Sequence, residues 1–140
     1  MTRLAFALLV CLLALPAAAQ NNPIVQRLQA FTAAYNAGDA ATIATFYTEN
    51  GAILPPQSAA VIGRAAIAEH YAAAFQGGVG NLRIDVKEIQ GHGPSSAVEI
   101  GETAVDFNGQ TILGRYMHVW VLQDGVWMLS RDIYHVLGTR

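Results

Sequence analysis

The chain has 140 residues, 53% of them hydrophobic and 13% charged, with 8 basic against 10 acidic side chains, a formal net charge of −2 and one cysteine. That length supports one domain with a sizeable core and leaves no room for a second. The charge balance lacks the basic excess that a nucleic-acid or anionic-membrane partner would want, and a single cysteine excludes an internal disulfide framework and a Cys-rich zinc site.

The apolar excess sits at the N-terminus. Arg3 precedes an unbroken apolar run from Leu4 to Leu15, followed by Pro16 and the small residues Ala17-Ala18-Ala19. The run is too short to span a bilayer but has the length of a secretory h-region, with small residues placed for cleavage after Ala19. Residues 1–19 therefore read as a signal peptide, and the protein as exported, periplasmic or secreted, with no membrane contact after cleavage. Val10 before Cys11 argues against a lipoprotein anchor. The remaining residues, 20–140, are about 48% apolar, ordinary for a soluble domain. Cys11 leaves with the signal, which rules out thiol catalysis.

Asn22-Pro23 forms a helix start, with Asn22 as cap and Pro23 in the first turn. Ile24, Leu28, Phe31 and Tyr35 follow at helical spacing up to Gly38. Asp39 caps a second short helix carrying Ile43, Phe46 and Tyr47, and Gly51 opens a short strand, Ala52-Ile53-Leu54, ended by Pro55-Pro56. Arg64 to Phe75 reads as a third helix with Ile67, Tyr71, Ala74 and Phe75 on one face. The second half changes period. Leu82–Ile89, Ala97–Phe107, Thr111–Leu122 and Val126–Val136 are rich in β-branched and aromatic residues, separated by Gly91-His92-Gly93-Pro94, Asn108-Gly109 and Asp124-Gly125, which are hairpin signals. Three helices followed by an antiparallel meander predict an α+β domain whose helices cover one sheet face.

Several of these pieces together resemble a known family. Tyr35-Asn36-Ala37-Gly38-Asp39, Phe46-Tyr47, Gly51-Ala52-Ile53-Leu54, Ile62-Gly63-Arg64-Ala65-Ala66-Ile67, Gly114-Arg115-Tyr116, Trp120, Asp124-Gly125-Val126-Trp127 and Asp132 stand in an order similar to the nuclear transport factor 2-like superfamily. The match is nearest to its SnoaL-like and ketosteroid-isomerase-like members and covers essentially all of 20–140. The resemblance implies a cone-shaped α+β barrel. Three N-terminal helices pack in the concave face of a strongly curved, mostly antiparallel sheet, a pocket lies between the layers, and the molecule is commonly a homodimer. It does not fix a chemistry, because the fold hosts isomerases, hydrolases, cyclases and proteins without a known reaction.

Strand alternation sorts residues into two sets. One holds Glu99, Gly101, Thr103 and Val105, then Arg115, Met117, Val119 and Val121, then Ser130, Asp132 and Tyr134. The other holds Val98, Ile100 and Glu102, then Tyr116, His118, Trp120 and Leu122, then Trp127, Leu129, Arg131, Ile133 and His135. One bulge, for instance near Ser130, would exchange the sets beyond it. The resemblance places the first set inside the cone, where an inward Arg115 should bridge Asp132 or Glu99. That cluster either organises the pocket floor or, as a polar end to an apolar cavity, carries the site. The aromatic-rich second set (Tyr116, His118, Trp120, Trp127, Leu129, Ile133) would then face outward and be covered by a homodimer partner.

Ketosteroid-isomerase chemistry needs a carboxylate base and an oxyanion hole of a Tyr and a protonated Asp. The three positions aligned with those roles carry Phe31, Pro55 and Met117, so that mechanism is disfavoured. The limonene-epoxide-hydrolase branch uses an Asp–Arg–Asp cluster. Here Arg115 and Asp132 match two members, and Glu99 would have to replace the third, where Met117 stands. The four histidines, His70, His92, His118 and His135, show no metal-ligand spacing, and Gly77-Gly78-Val79-Gly80 is not a dinucleotide loop, so neither metal nor cofactor is expected. The leading expectation is a protein that binds a small, largely apolar or aromatic molecule. Phe31, Tyr35, Tyr47, Leu54, His70, Tyr71, Phe75, Thr103, Met117, Val119, Ser130 and Tyr134 line the pocket in this reading. The enzyme alternative assigns acid/base catalysis to Asp132 with Glu99, Arg115, Tyr71 or His70. A third reading is a dimerisation module without a ligand.

Overall fold

The computed structural model describes residues 21–140. The expected signal peptide, residues 1–19, lies outside the described residues. Helix α1 (Pro23–Asn36) starts as its sequence dictates. Asn22 accepts a hydrogen bond from the Ile24 amide at 2.9 Å, and Pro23 fills a position where an amide proton would have no partner. Asp39 caps α2 (Ala40–Ala44) through the amide and hydroxyl of Thr42 at 2.9 and 2.6 Å. That helix is shorter than expected. Phe46 and Tyr47 lie beyond it, and β1 already begins at Tyr47, running to Leu54. A two-residue strand, β2 (Val61–Ile62), which the sequence pattern did not reveal, precedes α3 (Arg64–Gln76).

Four long strands follow: β3 (Gly80–Gly91), β4 (Ser96–Phe107), β5 (Gln110–Gln123) and β6 (Val126–Thr139). The sheet order is β2-β1-β6-β5-β4-β3, antiparallel except where β1 runs parallel to β6. The sheet is curved and not closed, and the three helices fill its concave side, the architecture that the family resemblance implies. Their apolar faces (Ile24, Leu28, Phe31 and Tyr35 from α1; Ile67 and Tyr71 from α3) meet Tyr47, Ile53, Trp120 and Leu129 from the sheet in one buried core. Burial at roughly 25 cal/mol per Å² of apolar surface is what holds helices to sheet. Arg27 adds a tether, donating to the Trp127 carbonyl at 3.0 Å while its guanidinium lies 4.3 Å from the centre of the Phe46 ring.

Two tight turns set the register. Asn108-Gly109 and Asp124-Gly125 all have positive φ, the left-handed pair required by a two-residue hairpin matched to strand twist. The first turn pairs Phe107 with Gln110, and counting back along the ladder sets Gly101 opposite Tyr116 and Glu99 opposite His118. Directly opposed residues share a face. Tyr116, His118 and Trp120 are therefore on the concave side with Glu99, while Arg115, Met117 and Val119 are on the convex side. This corrects the expected phase of β5. The second turn pairs Gln123 with Val126 and Trp120 with Leu129, but Val119 pairs with Arg131. A bulge at Ser130 absorbs the extra residue, and beyond it Asp132 stands opposite His118 and Tyr134 opposite Tyr116, all facing inward.

Gly101 is needed for this arrangement. A Cβ at that position would collide with the Tyr116 ring and hydroxyl and lie 2.5 Å from the carbonyl oxygen of Asp85, so the tyrosine occupies the space that a side chain would take. Gly101→Ala should destabilise the protein by about 1–3 kcal/mol through overpacking. In urea denaturation this would appear as a lower midpoint with an unchanged slope.

Candidate functional site

Three strands deliver the site in one cross-strand row. Glu99 on β4, His118 on β5 and Asp132 on β6 are neighbours in the ladder, with Ile53 of β1 next to Asp132. All three polar groups are buried, with exposures of 0%, 4% and 4%. His118 lies between the two carboxylates. Its Nδ1 is 2.8 Å from Glu99 Oε2 and its Nε2 is 3.4 Å from Asp132 Oδ1. With a carboxylate facing each nitrogen, the imidazole is held as a doubly protonated cation. Burial works against that charge, but attraction to Asp132 and Glu99 outweighs it and pushes the pKa up to about 9.

Each carboxylate has further donors behind it. Glu99 Oε2 accepts the Trp120 indole N–H at 2.8 Å, and Oε1 accepts the Tyr116 hydroxyl. Asp132 Oδ2 accepts the Tyr47 hydroxyl at 2.7 Å, and the oxygens of Tyr47 and Tyr71 are 3.0 Å apart. Burial, and then the nearby Asp132 charge, hold the Tyr47 and Tyr71 phenols far above their ordinary pKa, so both stay neutral. Among the described residues, every buried side-chain nitrogen and oxygen has a hydrogen-bond partner. A buried ionic group is tolerated only where the atoms sealed from the cavity are paired in this way.

Over this row lies a cavity of about 300 Å³, at the small end of ligand-sized pockets. Asp132 and His118 close its deep end and Tyr116 and Tyr134 form the next row. Val105, Ile112 and the exposed His135 and Val136 border its opening. The helices supply the roof: Phe31 and Tyr35 from α1, and His70, Tyr71 and Ala74 from α3. The Tyr71 ring sits edge-on to Phe31 and Tyr35, with centroids 6.1 and 5.8 Å apart, which fixes the hydroxyl that reaches Tyr47.

Of the expected pocket residues, Phe31, Tyr35, His70, Tyr71, Thr103 and Tyr134 line the cavity. Tyr47 and Glu99 lie behind its wall, in contact with the lining Asp132 and with His118 and Tyr116. Phe75 packs against Tyr35 and Tyr71 without reaching the cavity. The remaining expectations are corrected. Arg115 is exposed and pairs with Glu102 at 3.2 Å on the convex face, so it bridges neither Asp132 nor Glu99. Met117 and Val119 share its face. Leu54, opposite Ile133, also points outward, and Ser130 forms the bulge beside a separate open groove. Conversely, Tyr116, His118, Trp120 and Leu129, expected on the outer face, are buried, and Trp127 is half-buried against the core. Of that group Ile133 alone is exposed and outward. The cation at the centre of the cluster is therefore His118 and not Arg115. The length of the Asn108-Gly109 turn was the signal for it.

Helices laid into a curved sheet around a blind cavity define the nuclear transport factor 2-like superfamily. Within it, the SnoaL-like domain model matches residues 28–129, and the chain belongs to that family. Solved structures agree on the fold. A ketosteroid isomerase-like protein from Erwinia carotovora atroseptica SCRI1043 superposes with a TM-score of 0.72 at 20% identity, covering 83% of this chain and 95% of its own. A provisionally assigned scytalone dehydratase from Novosphingobium aromaticivorans DSM 12444 gives 0.76 at 13% identity, covering 89% and 88%. A provisionally assigned calcium/calmodulin-dependent protein kinase II association domain from Xanthomonas campestris gives 0.74 at 22%, covering 89% and 92%. No protein of curated function matches the sequence. At these identities the likeness is one of fold.

The raised His118 pKa makes stability depend on pH. In the unfolded chain the imidazole titrates near 6.5, and in the fold near 9. The folded state therefore binds the proton more tightly, and its contribution is complete below pH 6.5 and lost as pH rises to about 9. The melting temperature should fall across that interval, and a histidine NMR titration should place the His118 midpoint near the upper end. Glu99→Gln should lower both the midpoint and the pH slope.

Proposed function

We propose that the protein binds a small, largely apolar molecule in the cavity between helices and sheet, with the polar end of that molecule against Asp132 and His118. The supporting observation is an aromatic and aliphatic tube ending on a buried charge cluster, the make-up expected of a small-molecule site. Export belongs to the same reading and rests on the sequence of residues 1–19.

One observation favours catalysis as a second reading. His118 Nε2 and Asp132 Oδ1 place a proton donor and a proton acceptor 3.4 Å apart at the cavity end. Asp132 takes a proton from the bound molecule while His118 supplies one to it, leaving a neutral acid and a neutral imidazole that exchange protons with water to reset. Arg115 has no part in it. In a thermal-shift screen, a two-ring apolar molecule at ten times its Kd should stabilise the fold by about 1.4 kcal/mol, a rise of several degrees. Asp132→Asn should keep a shift with an apolar hydrocarbon and abolish turnover. Failure of every compound of that size to shift the wild-type protein would remove the binding reading.

The convex face supports a homodimer through a row that keeps, of the residues first expected there, only Ile133. Ile100, Met117, Ile133 and Leu54 form one continuous cross-strand row, exposed by 38%, 42%, 41% and 37%, with Val98 and Val119 alongside. A second copy covering this row is part of the proposed assembly. Met117→Glu, at its centre, should halve the mass measured by light scattering without lowering cavity occupancy. A wild-type monomer at the same concentration would exclude the dimer.

A further inference from the structure

We infer that the molecule bound in the cavity carries a hydroxyl group at its buried end, held between Asp132 and His118. This inference rests on the cavity reading above and follows from counting protons. A phenol has one proton to give. Tyr116 gives its own to Glu99, and Tyr47 gives its own to Asp132 Oδ2. Since the Tyr47 proton is in use, the short contact between the two phenols must be a bond donated by Tyr71 to Tyr47. The Trp120 N–H and the Nδ1 proton of His118 are both directed at Glu99. These five donors therefore point away from the cavity, into a carboxylate or a phenol oxygen; the donor left at the deep end is His118 Nε2, with the Tyr134 hydroxyl one row further out.

Two groups whose hydrogen-bonding capacity is not filled are left there. Asp132 Oδ1 receives none of these bonds, and His118 Nε2 makes only a long contact to it, 3.4 Å. An acceptor and a donor thus stand side by side, facing the tube. A hydroxyl satisfies both at once, giving its proton to Oδ1 and accepting the Nε2 proton on its lone pair. A ketone oxygen can accept from His118 but then lies against Oδ1 with no proton between them. A carboxylate would bring a third negative charge to a cluster that already holds two against one imidazolium. An ammonium can donate to Asp132 but cannot accept from His118, whose charge repels it. The rest of the molecule extends along the rows of Tyr116 and Tyr134 toward Val136, under Phe31, where the contact offered is mostly apolar.

The test is a matched series on one apolar skeleton: indane, 1-indanol, 1-indanone, 1-aminoindane and indane-1-carboxylate, titrated calorimetrically into the purified protein at pH 7. The alcohol should bind about tenfold more tightly than the ketone, since one charge-assisted hydrogen bond separates them, and more tightly than the amine or acid. Asp132→Asn turns a donor toward the tube and should bring the alcohol-to-ketone ratio to about one or below. If that variant does not fold, the wild-type series still decides the matter. A ketone or acid that equals the alcohol overturns the hydroxyl assignment and leaves the cavity reading standing. A preferred amine overturns it too, in favour of net charge alone. If not even indane binds, both readings fall together.

Discussion

A single imidazole between two buried carboxylates is the constraint around which the interior is arranged. Taking Glu99, His118 and Asp132 out of water costs several kcal/mol per ion unless each is paired and its remaining lone pairs are filled. The neighbouring residue types follow from that requirement. Tyr116, Trp120, Tyr47 and Tyr71 are large apolar bodies that each carry one donor, so they can build the core and serve the carboxylates together. An aliphatic residue at any of these positions would leave a carboxylate oxygen or a phenol without its partner. The Phe31, Tyr35 and Tyr71 contacts on the helices are in turn what hold the last phenol in reach. Helix packing and site electrostatics are one system.

Much of the fold was legible because local chemistry agreed with the global arrangement. Asn22-Pro23 and Asp39 start helices for capping reasons that hold in isolation, and the three turn sequences divide the second half into its strands. The parts that escaped depend on long-range pairing. Tyr47 looks helical beside Phe46, but its backbone joins β6 eighty residues away in parallel, and no local signal announces that partner. The two-residue β2 has too few residues to show a period.

The site was half legible for a related reason. Glu99 and Asp132 were identified because charges on otherwise apolar strands stand out. Their cation was misassigned because alternation alone gives each strand two phases and does not say which phases meet. The two-residue turn at Asn108-Gly109 resolves the β4–β5 pair by simple counting, and the residues it opposes to Glu99 and Gly101 are His118 and Tyr116. The bulge at Ser130 is another matter. Alternation admits a bulge near Ser130 without showing whether it is there, yet without it Arg131 and not Asp132 would oppose His118. Arg115 drew notice as a charge but belongs to an exposed pair with Glu102, the sort of surface contact that contributes little.

The register that assembles the acidic residues and histidine on one side of the sheet also aligns Ile100, Met117, Ile133 and Leu54 on the other. Each strand contributes adjacent residues to the two rows: 99 and 100, 117 and 118, 132 and 133, 53 and 54. Interior chemistry and exterior surface are therefore two sides of one ladder. A one-residue insertion or deletion in any of these strands would send a charge outward and an aliphatic inward at the same place. Over evolutionary time, substitution can retune either side separately, but changes of strand length cannot. The two surfaces are bound to inherit their alignment as a unit.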